Sequence, residues 1–224
     1  MKLYRVDKTV LIFKNGAKAF LGGLTSNAMD RPWNAFLNIH GKIIATFDQR
    51  VLNDDEVLAV IERPLVDAVL GHLDRYMRLS GVTVEKRDHR VYFDLEGNIP
   101  AENDEFAIPQ KHGKLLVSRR DRECPVSDGE FLLFRLRHNI PWPGVDYQDD
   151  FALNVSEDDF VSYTKGCYLG QEPVSKVHSR SRPTWKLAVR FEDECDAEQR
   201  SRMTSKALDE ETGRVRGFVF TKNS

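Results

Sequence analysis

KGCYLGQE, residues 165–172, is the most unusual stretch of this 224-residue chain. Eight positions bring together a thiol, two glycines, an amide, a carboxylate and an ammonium group. Such mixtures are typical of loops that carry function rather than of packed cores. Pro173 follows at once and is favoured in the first turn of a helix. We therefore predict that a helix begins next to this loop.

Cys167 is the candidate working residue of the loop. Lys165 and Lys176 could favour its thiolate, as could the N-terminus of a helix that begins just after it. The thiolate is the form that attacks substrates and binds soft metals. A lone cysteine is most often a small buried hydrophobe, and this alternative stays open. We interpret Cys124 and Cys195 as incidental, because their acidic or mixed sequence surroundings would not lower a thiol pKa. The spacings of the three cysteines match no metal-binding pair.

Three charged residues would share one face of the predicted helix. Glu172, Lys176 and Arg180 stand at i, i+4 and i+8, which places them in one row. The two cations could meet an anion. The alternative is a solvated face with a Glu172–Lys176 ion pair that contributes about 0.2–0.5 kcal/mol. We interpret His178 as a surface residue of the same helix.

The overall charge and composition limit the classes of protein to consider. A net charge of −2 gives no long-range attraction to nucleic acid or to an anionic membrane. The sequence contains no long apolar run, no secretory signal and none of the common hydrolase, zinc-protease or phosphate-loop motifs. Three cysteines suit a reducing compartment. We expect a monomeric cytoplasmic protein, or one of the mitochondrial matrix if the source is eukaryotic, although no transit peptide is visible.

The first half of the chain predicts an antiparallel sheet with helices on one face. Apolar runs predict strands at residues 10–13, 35–39, 43–48 and 56–62, of which the second and third form a hairpin. Pro64 opens an amphipathic helix that Gly81 can end. Residues 82–84 and 90–95 predict two further strands, joined by a polar turn around Asp88.

The sequence leaves the local structure of some other segments open. The two glycines of residues 20–27 suit either close backbone approach to a ligand or an ordinary turn. Residues 98–113 predict a surface loop or linker, and the apolar run 131–136 fits a helix or a strand. Residues 185–191 and 215–220 predict strands without an intervening helix.

The octapeptide 165–172 closely resembles the K-G-C-Y-x-G-Q-E signature of YgfZ-like proteins, which are relatives of the glycine-cleavage T-protein. Residues 174–180 look like the V-x-R-x-x-x-R continuation of that signature, and residues 135–146 resemble the upstream R-I-x-x-G-x-P-x-x-G segment. Near the N-terminus, residues 20–27 and 37–44 look like the F-L-x-G-x-L-T-N-D and L-N-x-x-G-x-I segments. The resemblance covers most of the chain and is strongest at the octapeptide.

The resemblance implies an α+β fold of the YgfZ/GcvT-like type, with subdomains in a ring and a C-terminal β-barrel. We expect a folate-binding region over residues 1–183 and a small β module over residues 184–224, which is short for a barrel. Tetrahydrofolate would occupy a central funnel. The implied ligand-binding residues are Thr25, Asn27, Asn38, Lys165, Tyr168, Gln171, Glu172, Lys176 and Arg180.

The function implied is that of a folate-binding accessory protein for iron–sulfur cluster assembly or repair, with Cys167 as its working residue. A typical cluster needs four ligands, so any cluster on Cys167 would be shared with a partner protein or a second chain. The implied partners are folate and iron–sulfur assembly or client proteins.

Three departures from the family pattern qualify this expectation. T-proteins carry a carboxylate just after G-G-I-I, and the matching residue here is Ala45, with Thr46 beside it. Without that charge, aminomethyl transfer loses electrostatic stabilisation of its cationic intermediate. Asn139 and Ser181 replace glycines of the family and put the local loop geometry in question. We expect no turnover enzyme; a folate-dependent aminomethyltransferase and a non-catalytic binding or scaffold relative stay open as alternatives.

Overall fold

Residues 2–223, which the computed structural model describes, form twelve β-strands and six α-helices, so the predicted mixture of helices and strands is confirmed. The strands are β1 (Leu3–Val6), β2 (Lys8–Lys14), β3 (Trp33–Leu37), β4 (Ile43–Val51), β5 (Val57–Glu62), β6 (Thr83–Arg87), β7 (Arg90–Asp94), β8 (Phe106–Pro109), β9 (Lys114–Ser118), β10 (Trp185–Phe191), β11 (Thr204–Asp209) and β12 (Arg214–Lys222). The helices are α1 (Ala17–Leu24), α2 (Val66–Ser80), α3 (Asp128–Arg137), α4 (Ala152–Val155), α5 (Gln171–Arg180) and α6 (Ala197–Arg202).

The predicted antiparallel sheet with helices on one face is confirmed. Its five strands lie in the order β3-β4-β5-β2-β6 and pair antiparallel throughout. Helix α2 packs on the sheet through Val69 and Leu73, both fully buried. It ends at Gly81, whose φ of 72° is the left-handed conformation typical of a helix C-terminus.

Gly22 and Gly23 lie in a helix, so the ordinary turn that the sequence allowed at residues 20–27 is absent there. Both Gly22 and Gly23 belong to α1, whose Ala17 and Leu21 are buried against the sheet. A Cβ atom at Gly23 would have no neighbour within 4 Å. Burial of the apolar face therefore outweighs the helix propensity that two glycines lose, about 1 kcal/mol each.

The two strands predicted on either side of Asp88 are confirmed, but they belong to different sheets. Strand β6 adds to the edge of the five-stranded sheet, whereas β7 lies in a second sheet of order β1-β7-β9-β8. A polar turn signal marks a reversal of the chain but carries no information on which strand each side pairs with. Strand β8 lies within the predicted loop 98–113 and forms an edge, where Pro109 is tolerated.

The ambiguous run 131–136 is helical because its start is strongly capped. Ser127 and Glu130 form a reciprocal capping box at the N-terminus of α3.

The C-terminal module is an open sheet of order β10-β12-β11. Helix α6 lies between β10 and β11, which corrects the expectation of strands without an intervening helix. No closed barrel forms within residues 2–223, so the predicted barrel is not confirmed. Leu187 and Phe218 of this sheet share a core cluster with Leu37 and Val174 from the remainder of the chain.

Candidate functional site

A cavity of about 110 Å³ lies where the two larger sheets meet the segment that follows α3. We call it the central cavity. Its floor is polar and consists of Lys8, Thr46, Asp48, Glu62, Gln110 and Tyr147. Its walls are mainly aromatic or apolar and include Trp33, Phe93, Leu115, Ile140, Trp142 and Phe160. Apolar walls with a few converging polar groups are the usual composition of a small-molecule site.

Strand alternation explains why charged side chains reach the cavity. In β5, Ala59 and Ile61 face α1 and α2, whereas Val60 faces the four-stranded sheet. Glu62 continues the second face, and Lys8 is its direct partner on β2. These two residues therefore lie at the end of an otherwise apolar interface between the sheets.

Lys8, Asp48 and Glu62 form an ion triad in the floor. Lys8 Nζ lies 2.8 Å from Asp48 Oδ2 and 2.8 Å from Glu62 Oε1, and none of the three side chains is more than 11% exposed. Burial opposes the charged form of Lys8, but the two carboxylates outweigh burial and raise its pKa. Burial also raises the pKa of Glu62, and Lys8 limits that rise. One ammonium and two carboxylates give the triad a formal charge of −1.

Asp48 also connects the triad to the wall of the cavity. Its Oδ1 accepts a hydrogen bond of 2.9 Å from Gln110 Nε2. Trp33 Nε1 in turn donates to Gln110 Oε1 at 3.1 Å. Gln110 belongs to the turn between β8 and β9, so this chain of bonds joins both larger sheets and fixes the Trp33 ring.

Thr46, not Ala45, faces the cavity from strand β4. The Thr46 and Tyr147 hydroxyl oxygens are 2.6 Å apart, and burial raises the pKa of Tyr147 so that its hydroxyl stays neutral. Ala45 is fully buried on the opposite face of the sheet, among Phe36 and Phe47. Ala45 therefore does not line the cavity, whereas three carboxylates do: Asp48 and Glu62 beside Lys8, and Asp159 beside Lys111.

A buried ion pair holds the segment after α3 in place. Arg135 pairs with Asp146. The Asp146 Oδ1 atom accepts hydrogen bonds from the hydroxyls of Thr204 at 2.7 Å and Ser205 at 2.6 Å. The pair thus attaches this segment to the C-terminal sheet, and the Arg135 guanidinium lies 4.9 Å from the centre of the Trp142 ring.

The backbone at Asn139 and Ser181, which stand where the family pattern has glycines, is one that these residues tolerate. Asn139 has a φ of 52°, a left-handed conformation that asparagine tolerates better than most residues. Ser181 is extended, with a φ of −153°, which any residue adopts. Neither position therefore requires glycine.

Lys165 fastens the octapeptide to the end of α1. Its Nζ donates to the carbonyl oxygens of Thr25 at 2.6 Å and Asn27 at 2.9 Å, and it lies 5.2 Å from the centre of the Tyr168 ring. Burial lowers the pKa of Lys165 to about 8. Lys165 is thus engaged by backbone carbonyls, and its contacts give no support to the expected role beside the Cys167 thiolate.

Gly170 makes the tightest contact of the octapeptide. Its φ is 83°, and a Cβ atom there would lie 2.4 Å from the carbonyl oxygen of Asn38. The Asn38 side chain accepts hydrogen bonds from the backbone N–H groups of His40 and Lys42, which closes the β3–β4 turn. The octapeptide and this turn therefore pack backbone against backbone.

Cys167 is exposed, which contradicts the alternative that it is a buried hydrophobe. It lies ahead of α5, whose first residue is Gln171. Burial raises the pKa of Cys124 and of Cys195, which fits their interpretation as incidental. Within residues 2–223, no group of three or more His, Cys, Asp or Glu side chains is placed to hold a metal ion.

The charged row on α5 is solvated. Glu172, Lys176 and Arg180 are exposed, and within residues 2–223 none of them forms an ion pair, so the expected Glu172–Lys176 pair is absent. His178 is exposed and stacks on Tyr163 with 3.6 Å between ring centres.

The residues predicted to bind folate lie together but outside the central cavity. Thr25 and Asn27 are buried, and their side chains bond to backbone, Thr25 to Leu21 and Asn27 to Trp33 and Asp159. Tyr168 is packed in a core cluster, and Gln171 donates its backbone N–H to Tyr168. None of the predicted ligand-binding residues lines the cavity: Thr25, Asn27, Asn38, Lys165, Tyr168, Gln171, Glu172, Lys176 and Arg180.

Sequence reasoning missed the residues that do line the cavity, although a signal exists for some of them. Lys8, Asp48 and Glu62 are charged residues within or at the ends of apolar strands. Buried charges need partners, so charged positions on neighbouring strands suggest an ion cluster. Gln110 and Trp142 lie in irregular segments and carry no such signal.

No helix within residues 2–223 has the length and apolar character needed to cross a membrane.

The fold of this chain is similar to that of a known enzyme. No protein-family model matches the chain. An uncharacterized protein from Haemophilus influenzae is 24% identical over 193 residues, which are 80% of this chain and 68% of that protein. The crystal structure of the glycine cleavage system aminomethyltransferase T from Bartonella henselae superimposes with a TM-score of 0.76 at 10% identity, over 99% of this chain and 78% of that one. The chain therefore has a fold like that of aminomethyltransferase T.

Proposed function

We propose that this protein binds a reduced folate, with the pterin ring in the central cavity. The observation that carries the proposal is the placement of an aromatic-walled cavity with a polar floor at the junction of the sheets of an aminomethyltransferase-like fold. Trp33 and Trp142 offer flat surfaces for a planar heterocycle. The amino-pyrimidinone edge of a pterin carries N–H donors, and the floor supplies acceptors.

The acceptors belong mainly to the ion triad. Glu62 Oε1 lies near Lys8 Nζ but makes no well-aligned hydrogen bond within the protein, so it retains capacity for a ligand donor. The formal charge of −1 on the triad favours a ring edge that presents donors. Each of the two carboxylates has an oxygen 2.8 Å from Lys8 Nζ, and a carboxylate can only accept hydrogen bonds.

We propose binding without aminomethyl transfer. Each carboxylate that lines the cavity is already paired with a lysine, Asp48 and Glu62 with Lys8 at 2.8 Å and Asp159 with Lys111 at 2.5 Å. This pairing reduces their ability to stabilise a cationic intermediate. With aminomethylated carrier protein and tetrahydrofolate, we expect no methylenetetrahydrofolate. Formation at about 1 per second or faster would restore the transferase alternative.

The chain's three tryptophans make a direct binding test possible. Tetrahydrofolate should quench the fluorescence of Trp33 and Trp142, which line the cavity, but not that of Trp185, which does not. A titration of the wild-type protein should therefore give saturable quenching. Trp185→Phe should keep this quenching and Trp142→Leu should weaken binding; equal binding by both variants, or no saturable quenching, would refute the cavity as the site.

A second function, support of iron–sulfur cluster assembly or repair, is favoured by the exposure of Cys167. An exposed thiol outside the cavity can reach a partner protein and share a cluster with it. Cys167→Ala should leave folding and tetrahydrofolate binding unchanged, yet fail to support iron–sulfur enzymes in cells that lack the native protein. Full complementation by this variant would remove Cys167 from the proposal.

A further inference from the structure

A second cleft adjoins the central cavity. It has a volume of about 520 Å³ and lies between strand β10 and the end of α3. Strand β10 is an edge of the C-terminal sheet, so its outer N–H and C=O groups have no strand partner. Asn139 lines both the cleft and the central cavity, which places the two side by side.

Positive charge dominates the lining of this cleft. Arg137, Lys186, Arg190 and Arg216 line it, against one carboxylate, Glu194. Glu194 is itself engaged, because Arg214 lies 2.8 Å from it. The cleft therefore presents a net positive charge to a ligand.

Two of these cations are available to a ligand without loss of an internal bond. The other two, Arg216 and Arg137, are engaged with the buried carboxylate of Asp209, at 2.7 Å and 3.8 Å. Lys186 and Arg190 are exposed and form no ion pair within residues 2–223. They stand four positions apart on β10, about 13 Å at 3.3 Å per residue. That spacing suits successive negative groups along an extended chain better than a single small anion.

Arg216 contributes a further unsatisfied group. Its Nε is buried and has no hydrogen-bond partner within the described residues. A buried guanidinium N–H without an acceptor is unfavourable, and an incoming carboxylate oxygen would satisfy it.

We infer that this cleft binds a chain of carboxylates, namely the oligo-γ-glutamate tail of the folate whose ring occupies the central cavity. The inference rests on the proposed function and extends it to the substrate class: polyglutamylated rather than monoglutamylated folate. It also places the tail at β10 rather than at the exposed row of Lys176 and Arg180, which line neither cavity nor cleft.

The test compares monoglutamyl and pentaglutamyl tetrahydrofolate by calorimetric titration. The double variant Lys186→Gln/Arg190→Gln removes the two available charges, and Lys176→Gln/Arg180→Gln is the matched control on α5. We expect the wild type and the control to prefer the pentaglutamate by about tenfold, which equals about 1.4 kcal/mol and lies within what two exposed ion pairs contribute. The cleft variant should lose this preference and keep its affinity for the monoglutamate.

Retention of the preference by the cleft variant, or its loss in the α5 control, would overturn the inference. If no folate binds at all, the proposed function fails, and a titration with free penta-γ-glutamate then decides the inference by itself. Binding of this peptide that disappears in the cleft variant would support the anion site. Absence of binding to the wild-type protein would overturn it.

Discussion

Gly170 provides the clearest prediction at the scale of single residues. A methyl group there would meet the Asn38 carbonyl oxygen at 2.4 Å, and the φ of 83° disfavours any residue with a Cβ atom. Gly170→Ala should lower the free energy of unfolding by about 2–4 kcal/mol.

Gly166, in the same octapeptide, is the matched control. A Cβ atom there would have no neighbour within 4 Å, so Gly166→Ala should change stability by less than about 0.5 kcal/mol. Urea denaturation of both variants measures the difference. Similar stabilities would contradict the close packing of the octapeptide on the β3–β4 turn.

Lys8 yields a prediction with a defined dependence on pH. In Lys8→Met the carboxylates of Asp48 and Glu62 stay buried without their cation, which should cost about 3–5 kcal/mol near neutral pH. Their folded-state pKa values would then lie above the unfolded values, so the variant should become less stable as pH rises from 5 to 8.

In the wild type Lys8 limits the rise that burial causes in the pKa of Glu62, and the pKa of Lys8 itself is raised. Its contribution is fully present below the unfolded lysine pKa of about 10.4 and is lost only as pH rises through the folded value. The stability difference between wild type and Lys8→Met should therefore grow from pH 5 to pH 8. Lys176→Met, at an exposed position, should show no such trend; a constant Lys8→Met difference would contradict the ion triad.

The predictability of the site from sequence differs between residues. The octapeptide was recognisable from its composition, yet Lys165, Tyr168 and Gly170 prove to serve packing. Only Gly166, Cys167 and Glu172 of this octapeptide are exposed without a structural contact that explains them. The unusual composition therefore indicated a constrained loop, but it did not show which residues contact a ligand and which pack against the protein. That distinction depends on neighbours distant in sequence.

At the scale of elements, α1 is the most informative difference from the sequence expectation. Gly22 and Gly23 suggested a turn because glycine propensity is a local signal, whereas the buried side of α1 is set by the sheet beneath it. Strong periodic segments such as α2 were predictable, since their apolar spacing carries the signal directly.

The helical placement of Gly23 can be tested by a stabilising substitution. Gly23→Ala adds a methyl group into open space in a helix, so it should raise the free energy of unfolding by about 0.5–1 kcal/mol. Tetrahydrofolate affinity should not change. A loss of affinity in a stable variant would instead restore the close backbone approach that the sequence suggested.

Pairing between elements was the least predictable level. Strands β6 and β7 were both recognisable, but their assignment to different sheets depends on which edges are available once the other strands are in place. The central cavity is a consequence of that assignment, because most of its floor comes from the five-stranded sheet and part of its wall from β7 and β9. The cavity residues could not be grouped from the sequence for this reason.

In the whole molecule, two regions are alternative candidates for the folate-binding site. The sequence resemblance pointed to residues 165–180, whereas the structure offers a cavity walled by the segment 139–147 and the β8–β9 turn. Both are parts of one fold like that of aminomethyltransferase T, so the fold does not choose between them.

Hydrogen–deuterium exchange with and without tetrahydrofolate is the measurement that separates the two locations most directly. A ligand in the central cavity should slow exchange in residues 139–147 and in the turn around Gln110, with little change in residues 165–180. Protection confined to residues 165–180, or no protection anywhere at saturating tetrahydrofolate, would contradict the proposal that the central cavity binds the folate.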